Sequence, residues 1–210
     1  MSEHMALENL TVLDLTRVLA GPFCTMMLAD MGANVIKIEV PKGGDDTRSY
    51  PPFRAKNLNG ERESVYFANI NRNKKGITLN LKAPEGKEIF KELVKKADIV
   101  VENYRPGVMD KLGLGYDVLK EINPRIIYAA VSGFGCYGPY HLRPGYDILA
   151  QAMGGMMSIT GSKGGEPTRA GSALGDILGG LHVTIGILAA VNARTITGKG
   201  QRVDVSLMDS

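Results

Sequence analysis

The sequence contains no tryptophan and only two cysteines, and it lacks the residue spacings of several common functional sites. Cys24 and Cys136 have neither metal nor redox spacing, so we expect reduced thiols in a cytoplasmic protein. The three histidines, His4, His141 and His182, are not spaced as metal ligands, and no metal site is predicted.

Long apolar runs and a strong net charge are also missing. The N-terminus lacks the basic start and apolar stretch of a signal peptide. The longest apolar stretch, 181–193, contains His182, Thr184 and Asn192, so we expect no membrane span and no membrane partner. The sequence has 25 Lys and Arg against 22 Asp and Glu, a formal net charge of +3, which does not favour nucleic acid as a partner.

No nucleotide-binding motif follows the first predicted strand, and no serine-hydrolase motif is present. After the first predicted strand the sequence is TRVLAGP, with the single glycine Gly21, so this segment carries no G-x-G-x-x-G dinucleotide fingerprint. The phosphate-binding G-x-x-x-x-G-K-[ST] and the G-x-S-x-G nucleophile elbow do not occur either. We therefore do not expect the protein to bind NAD or ATP through such loops, nor to be a serine hydrolase.

What is present is an alternation of strand-length apolar segments with longer segments of helical period. The 210 residues, 44% of them apolar, are enough for one ordinary domain with a hydrophobic core. The predicted strands are 10–15, 34–40, 77–81, 98–102, 125–132 and 202–207, and the predicted helices are 21–31, 84–96, 117–122, 147–157 and 174–193. This pattern predicts a Rossmann-like α/β fold, a mostly parallel sheet covered by helices on both faces. Segment 42–62 is predicted to be a long surface loop.

The most informative stretch is 170–180, AGSALGDILGG, in which one carboxylate, Asp176, lies in the first turns of an apolar helix. One interpretation is a helix-start carboxylate that interacts with the helix dipole. Gly175, Gly179 and Gly180, however, each weaken the helix by roughly 1 kcal/mol relative to alanine, which indicates that something approaches the backbone closely. A desolvated carboxylate that stays ionised near a helix N-terminus suits nucleophilic chemistry.

Several segments together carry a family resemblance: VLDLTRVLAGPFCTMMLADMGANVIKIE, NRNKKGITLNLK, DIVVENYRPGVMDKLGLGY, NPRIIYAAVSGFG, GSALGDILGG and TGKGQRVDVSL. From about residue 7 to its last residue, the chain resembles the N-terminal half of a family III CoA-transferase. The resemblance implies that residues 1–210 are the N-terminal part of that family's large Rossmann-like domain, without the small domain and the C-terminal return segment. It also implies a homodimer, since full-length relatives interlock. The sequence leaves open whether the chain is a fragment, a split subunit or a truncated relative of the family.

The resemblance implies an acyl-CoA:carboxylate CoA-transferase with no tightly bound cofactor, whose substrates are coenzyme A esters and a carboxylic acid. Asp176 matches the aspartate that forms an aspartyl–acyl anhydride and then an aspartyl-CoA thioester. The positions that match CoA-binding residues of the family are Val18, Leu19, Ala20, Leu79, Lys82, Asn103, Tyr104 and Lys111. Val40 occupies a position where relatives have a basic residue that contacts coenzyme A. Lys42 or Arg48, which lie nearby in the sequence, could supply the missing positive charge.

Two alternatives remain. One is a non-catalytic or split-subunit CoA-binding module. The other is an enzyme similar to the α-methylacyl-CoA racemases, which carry a histidine in a G-H-D-I motif where this chain has Gly145, Tyr146, Asp147 and Ile148. Because an unperturbed tyrosine has a pKa of about 10, it is a poor base near neutrality, and racemase is disfavoured. Tyr146 is expected instead to line the acyl or pantetheine pocket.

Overall fold

The computed structural model describes residues 4–54, 60 and 62–210, and strands and helices alternate along the chain. The strands are β1 Thr11–Asp14, β2 Asn34–Glu39, β3 Phe53–Arg54, β4 Glu63–Ser64, β5 Lys75–Thr78, β6 Ile99–Glu102, β7 Ile127–Ser132 and β8 Arg202–Ser206. The helices are α1 Ala20–Asp30, α2 Val65–Ile70, α3 Pro84–Val94, α4 Val108–Leu112, α5 Tyr116–Ile122, α6 Asp147–Met153 and α7 Leu174–Thr197. Short 3₁₀ turns lie at Asp46–Ser49 and Met156–Ile159.

Six of these strands form one parallel sheet in the order β5-β2-β1-β6-β7-β8. When the six are numbered along the chain, the order is 3-2-1-4-5-6, that of a doubly wound dinucleotide-binding fold. Strands β3 and β4 pair separately as an antiparallel ladder. The prediction of a Rossmann-like parallel sheet is confirmed, and the order of the strands reverses between β1 and β6.

Two hydrophobic cores cover the two faces of the sheet because successive side chains on each strand point to opposite sides. On β1, the side chain of Val12 joins the core formed with α1 and α7, whereas that of Leu13 joins the core formed with α3, α4 and α5. Both side chains are almost completely buried. The central strands are therefore apolar on both faces because each face of the sheet is covered by one of the two cores.

Helix α7 packs closely against the sheet and α1, and its glycines make this possible. A Cβ atom on Gly179 would lie 2.5 Å from Leu207 Cδ2, and one on Gly180 would lie 2.7 Å from the carbonyl oxygen of Ala20. The partners that approach these glycines are thus other parts of the protein. By length and composition alone α7 is also apolar enough to cross a membrane; its last turn carries a buried arginine, Arg194, paired with Asp98 at 3.0 Å.

Some predicted boundaries were wrong. Strand β5 is Lys75–Thr78 rather than 77–81, since the chain turns at Asn80, whose carbonyl accepts a hydrogen bond from the Ala83 N–H. Helices α2 and α4 were not predicted; they are short, and α4 lies between two glycines with positive φ, Gly107 and Gly113. The predicted loop 42–62 contains a 3₁₀ turn and strand β3, while 55–59 and 61 lie outside the described residues.

Candidate active site

A cleft of about 430 Å³ opens at the carboxyl ends of β1, β6 and β7, where the strand order reverses. Its walls come from the segments that follow these strands and from the segment that precedes α6. The lining residues include Arg17, Val18, Leu19, Ala20, Asn103, Tyr104, Arg105, Ser132, Arg143, Tyr146 and Asp176. We call it the Asp176 cleft. Parallel α/β sheets bind ligands at this position.

The Asp176 carboxylate lies on the first turn of α7 and is partly buried. Among the described residues, no donor hydrogen-bonds its oxygens. Burial and, to a lesser extent, the negative charge of Asp147 raise the pKa of Asp176 to about 6. The side chain is therefore mostly ionised at neutral pH while poorly solvated, and such a carboxylate is a better nucleophile than one surrounded by water.

Asp147, the first residue of α6, accepts the hydrogen bonds that Asp176 does not. Its Oδ1 accepts from the backbone N–H of Gly175 at 2.8 Å and from that of Asp176 at 3.4 Å. Its Oδ2 accepts from Nε2 of Gln151 at 2.8 Å. The Gly175 and Asp176 N–H groups at the start of α7 are thus bound by Asp147. Asp176 itself lies in the first turn, near the positive end of the helix dipole, but forms no capping hydrogen bond among the described residues. Sequence reasoning missed the role of Asp147, although the residue follows Tyr146 in the motif compared with the racemases.

The segment that follows β1 is held in an unusual conformation. Val18 has a φ of 69°, which for a β-branched residue costs on the order of 1–2 kcal/mol. Asn103 holds this segment in place, since its Oδ1 accepts from the Arg17 N–H at 2.9 Å and its Nδ2 donates to the Arg17 carbonyl at 2.7 Å. The Val18 N–H donates to Asp45 Oδ1 at 3.2 Å. These bonds place the backbone of Leu19 and Ala20 in the cleft wall.

A second cleft of about 580 Å³ adjoins the first, and Tyr104 and Val108 line both. Leu79 and Lys82 lie in this adjoining cleft together with Lys42. The other lining residues are Ile38, Glu39, Val40, Pro41, Asn80, Leu81 and Leu112. Asp176 and the two lysines therefore line neighbouring clefts that share a wall.

The predicted site residues fall into three groups. Val18, Leu19, Ala20, Asn103, Tyr104 and Tyr146 share one cleft with Asp176, and Leu79 and Lys82 line the adjoining one. Lys111 is exposed on α4 and is not among the described residues that line either cleft. Of the two proposed substitutes at Val40, Lys42 lines the adjoining cleft, whereas the Arg48 guanidinium pairs with Glu39 at 2.6 Å.

Three arginines and one tyrosine near the site were not predicted. Arg17, Arg105 and Arg143 line the Asp176 cleft, which makes it cationic around a single carboxylate and suited to anionic substrates. Burial and the charge of Asp176 raise the pKa of Tyr66 to about 12, so its phenol keeps its proton near neutrality. Tyr66 belongs to α2, a helix with no sequence signal long enough to predict it. No group of three or more His, Cys, Asp or Glu within the described residues is placed to hold a metal ion.

Comparison with known proteins gives a consistent result. The family model described as CoA-transferase family III matches residues 7–210. The chain is 51% identical over 212 residues to an acyl-CoA transferase of Fusarium pseudograminearum, covering 100% of this chain and 46% of that protein. It is 50% identical over 203 residues to the acetyl-CoA:oxalate CoA-transferase of Acetobacter aceti, covering 96% and 51%.

The fold has close counterparts among solved structures. The structure of a CAIB/BAIF family protein from Brucella suis superposes with a TM-score of 0.94 at 46% sequence identity. The match covers 99% of this chain and 54% of that one. The chain thus spans about half the length of the relatives and the solved structure it matches.

Proposed function

The chain belongs to CoA-transferase family III, and on that premise we propose that it moves coenzyme A from an acyl-CoA to a carboxylic acid with Asp176 as the covalent nucleophile. The single observation that carries the proposal is the position of Asp176. It is a partly desolvated carboxylate without a hydrogen-bond donor among the described residues, in a cationic cleft where the strand order reverses.

The first half of the reaction loads coenzyme A onto the enzyme. An Asp176 oxygen attacks the carbonyl carbon of the acyl-CoA thioester, so that a C–O bond forms, the C–S bond breaks and the thiolate of coenzyme A leaves. The product is an aspartyl–acyl anhydride. The thiolate then attacks the aspartyl carbonyl carbon, which forms an aspartyl-CoA thioester and releases the donor as a free carboxylate.

The second half repeats these steps with the acceptor. The acceptor carboxylate attacks the aspartyl thioester and displaces the thiolate, which gives a second anhydride. The thiolate attacks the acceptor's acyl carbon, and acceptor-CoA leaves while Asp176 returns to a carboxylate. Each step exchanges one bond at a carbonyl carbon with no net change in redox state, so neither a metal nor a redox group is required.

The two adjoining clefts provide room for the long coenzyme. We place the thioester end against Val18, Leu19, Ala20 and Asn103 in the Asp176 cleft, and the nucleotide end along the adjoining cleft. Tyr104, which lines both clefts, would contact the pantetheine arm between them. Lys82 and Lys42 are point charges suited to phosphate.

Trapping with hydroxylamine tests the proposal. The protein is incubated with an acyl-CoA and hydroxylamine, and the peptide that contains Asp176 is analysed by mass spectrometry. A hydroxamate on Asp176 is expected, because hydroxylamine cleaves both the anhydride and the thioester. An active preparation in which Asp176 stays unmodified would rule out the covalent route.

Two further measurements distinguish the alternative functions. Binding of coenzyme A by calorimetry without any turnover would favour the CoA-binding module, and exchange of deuterium at the α-carbon of a 2-methylacyl-CoA would favour the racemase.

Replacing Lys82 with alanine is expected to weaken binding of coenzyme A about tenfold, since one charge-assisted contact to phosphate is lost. Isothermal titration calorimetry measures the affinity, and the loss should shrink at high salt. Lys163→Ala is the matched control, because Lys163 is exposed and is not among the described residues that line either cleft. A larger loss for Lys111→Ala than for Lys82→Ala would show that the phosphates lie elsewhere.

The rate of acyl transfer is expected to fall as the pH decreases through about 6, because only the ionised Asp176 attacks and its pKa is raised to about 6. Asp147→Asn removes the negative charge that is the smaller cause of this raised pKa. The acidic limb of the profile of kcat/KM against pH should therefore move to lower pH in this variant. An unchanged profile, or a shift to higher pH, would contradict the assigned interaction between the two carboxylates.

A further inference from the structure

The exposed side chain of Arg143 lines the Asp176 cleft and lies against one aromatic ring. Its guanidinium carbon lies 4.1 Å from the centroid of the Tyr140 ring. The ring of Tyr140 in turn packs edge-on against that of Phe134, with 5.6 Å between the centroids. Stacking of this kind orients the plane of the guanidinium and leaves its N–H groups available in the plane.

The backbone that carries Arg143 is fixed relative to Asp176. A Cβ on Gly145 would lie 2.4 Å from the Cα of Gly133, so the two backbones cross in close contact. Asp147 follows two residues later and holds the start of α7 through the Gly175 and Asp176 N–H groups. Arg143 therefore lies on a segment that contacts both the end of β7, through Gly145, and the start of α7, through Asp147.

Among the described residues, the Arg143 guanidinium has no carboxylate partner and no hydrogen bond. Arg17 of the same cleft differs, since it pairs with Asp46 at 3.3 Å. An arginine without an anion partner in a cleft has its N–H groups free to bind a carboxylate or a phosphate of a ligand. The lysines available for the phosphates of coenzyme A, Lys42 and Lys82, lie in the adjoining cleft, and the pantetheine arm separates those phosphates from the thioester.

We propose that Arg143 binds the second carboxylate of a dicarboxylic acid whose first carboxylate reacts at Asp176, so that Arg143 determines the specificity for the acid. This inference rests on the proposed function of the site and specifies its substrate class. The planar guanidinium matches a carboxylate in a bidentate geometry, which an ammonium group does not provide. A monocarboxylic acid of the same length has no second carboxylate to pair with Arg143, so Arg143 does not increase its affinity.

Binding of succinate and of butyrate, which have the same number of carbons and differ in one carboxylate, tests the proposal by ligand-observed NMR. The intact protein is expected to bind succinate more tightly than butyrate. Arg143→Met should weaken succinate binding about tenfold or more and leave butyrate binding within about twofold, while Arg143→Lys should recover only part of the loss. Arg169→Met is the charge-matched control, because Arg169 is exposed and is not among the described residues that line either cleft.

Three results would overturn the assignment: equal affinity of the intact protein for succinate and butyrate, an equal loss of both ligands in Arg143→Met, or a loss confined to coenzyme A. The last result would identify Arg143 as a phosphate ligand. The binding measurement does not depend on turnover. If hydroxylamine traps nothing on Asp176 while succinate binding still depends on Arg143, the covalent mechanism fails and the assignment of Arg143 stands.

Discussion

Replacing Asp176 with asparagine is expected to abolish CoA transfer and, at the same time, to stabilise the fold. The amide oxygen cannot form the anhydride, so the rate should fall by about 10⁴-fold or more, as it does when a covalent nucleophile is removed from other enzymes. The measurements are a steady-state assay with an acyl-CoA and an acid, and the hydroxylamine trap. Binding of coenzyme A should be nearly unchanged, because the substitution alters the reacting end of the cleft and leaves the lysines of the adjoining cleft in place.

The gain in stability follows from the raised pKa of Asp176. The pKa is about 6 in the folded protein against 3.8 for an ordinary aspartate, so between these values the folded state binds more protons than the unfolded state. Stability contributed by this group is complete below pH 3.8 and is lost as the pH rises through about 6. At pH 7 the ionised carboxylate is a cost, and asparagine should raise the free energy of unfolding by about 1–2 kcal/mol.

Urea unfolding at several pH values checks this second effect. The advantage of Asp176→Asn over the parent protein should be largest at pH 7 and should shrink as the pH decreases towards 4. Asp209→Asn is a suitable control, because Asp209 is exposed and lies on neither cleft among the described residues. If Asp176→Asn destabilised the protein at pH 7 as well as inactivating it, the carboxylate would be a structural group, and the nucleophile would have to be sought elsewhere.

The architecture could be predicted because the central strands carry their own signal. Val12 and Leu13 are both apolar, and a strand that is apolar on both faces fits only a sheet covered on both sides. Strand β5 was predicted two residues too late at its start and three at its end, because it lies at the edge of the sheet and is exposed along its length. The short helices α2 and α4 were missed because their limits depend on a few capping residues, Ser64 for α2 and Gly107 and Gly113 for α4, rather than on a long apolar period.

The site was predictable only in part. Asp176 could be selected because a lone carboxylate stands among glycines, although the glycines serve contacts with Leu207 and the Ala20 carbonyl. Asp147 and Arg143 depend on long-range contacts that no local pattern encodes. Asp147 reaches the start of α7 across 28 residues of chain, and Arg143 acquires its position from the crossing of two glycine backbones.

A network of buried ion pairs next to the segment that follows β1 could not be predicted from sequence periodicity either. The side chains of Asp14 and Lys74 pair at 3.0 Å, and those of Lys37 and Asp45 pair at 2.9 Å, with exposures of 0–2%. Lys37 also donates to the Thr16 carbonyl at 2.8 Å, at the start of the segment that carries Val18. The network therefore fixes the loop that forms one wall of the cleft.

Replacing Lys74 with methionine is expected to destabilise the protein by about 3–5 kcal/mol, because it leaves the carboxylate of Asp14 buried without its cation. Burial acts to raise the pKa of Asp14, but the charges of Lys74 and Lys37, together with hydrogen bonds from Thr16 and Thr25, hold the pKa below its usual value. Chemical denaturation at pH 7 measures the loss. Lys95→Met removes an exposed pair with Glu92 and should change stability by less than about 1 kcal/mol.

The effect of pH separates the lost ion pair from lost packing. Because the pKa of Asp14 is lowered in the folded state, its contribution to stability is present above the unfolded pKa of 3.8 and disappears as the pH falls through the folded value. The deficit of Lys74→Met should therefore shrink in acid, where Asp14 takes up a proton and no longer needs a cation. A deficit that is constant across pH would mean that Lys74 stabilises the fold through its aliphatic stem and its bonds to Pro22 and Asn71. A double variant with Asp14→Asn should lose less than the sum of the two single losses, since the second substitution removes the charge that the first leaves unpaired.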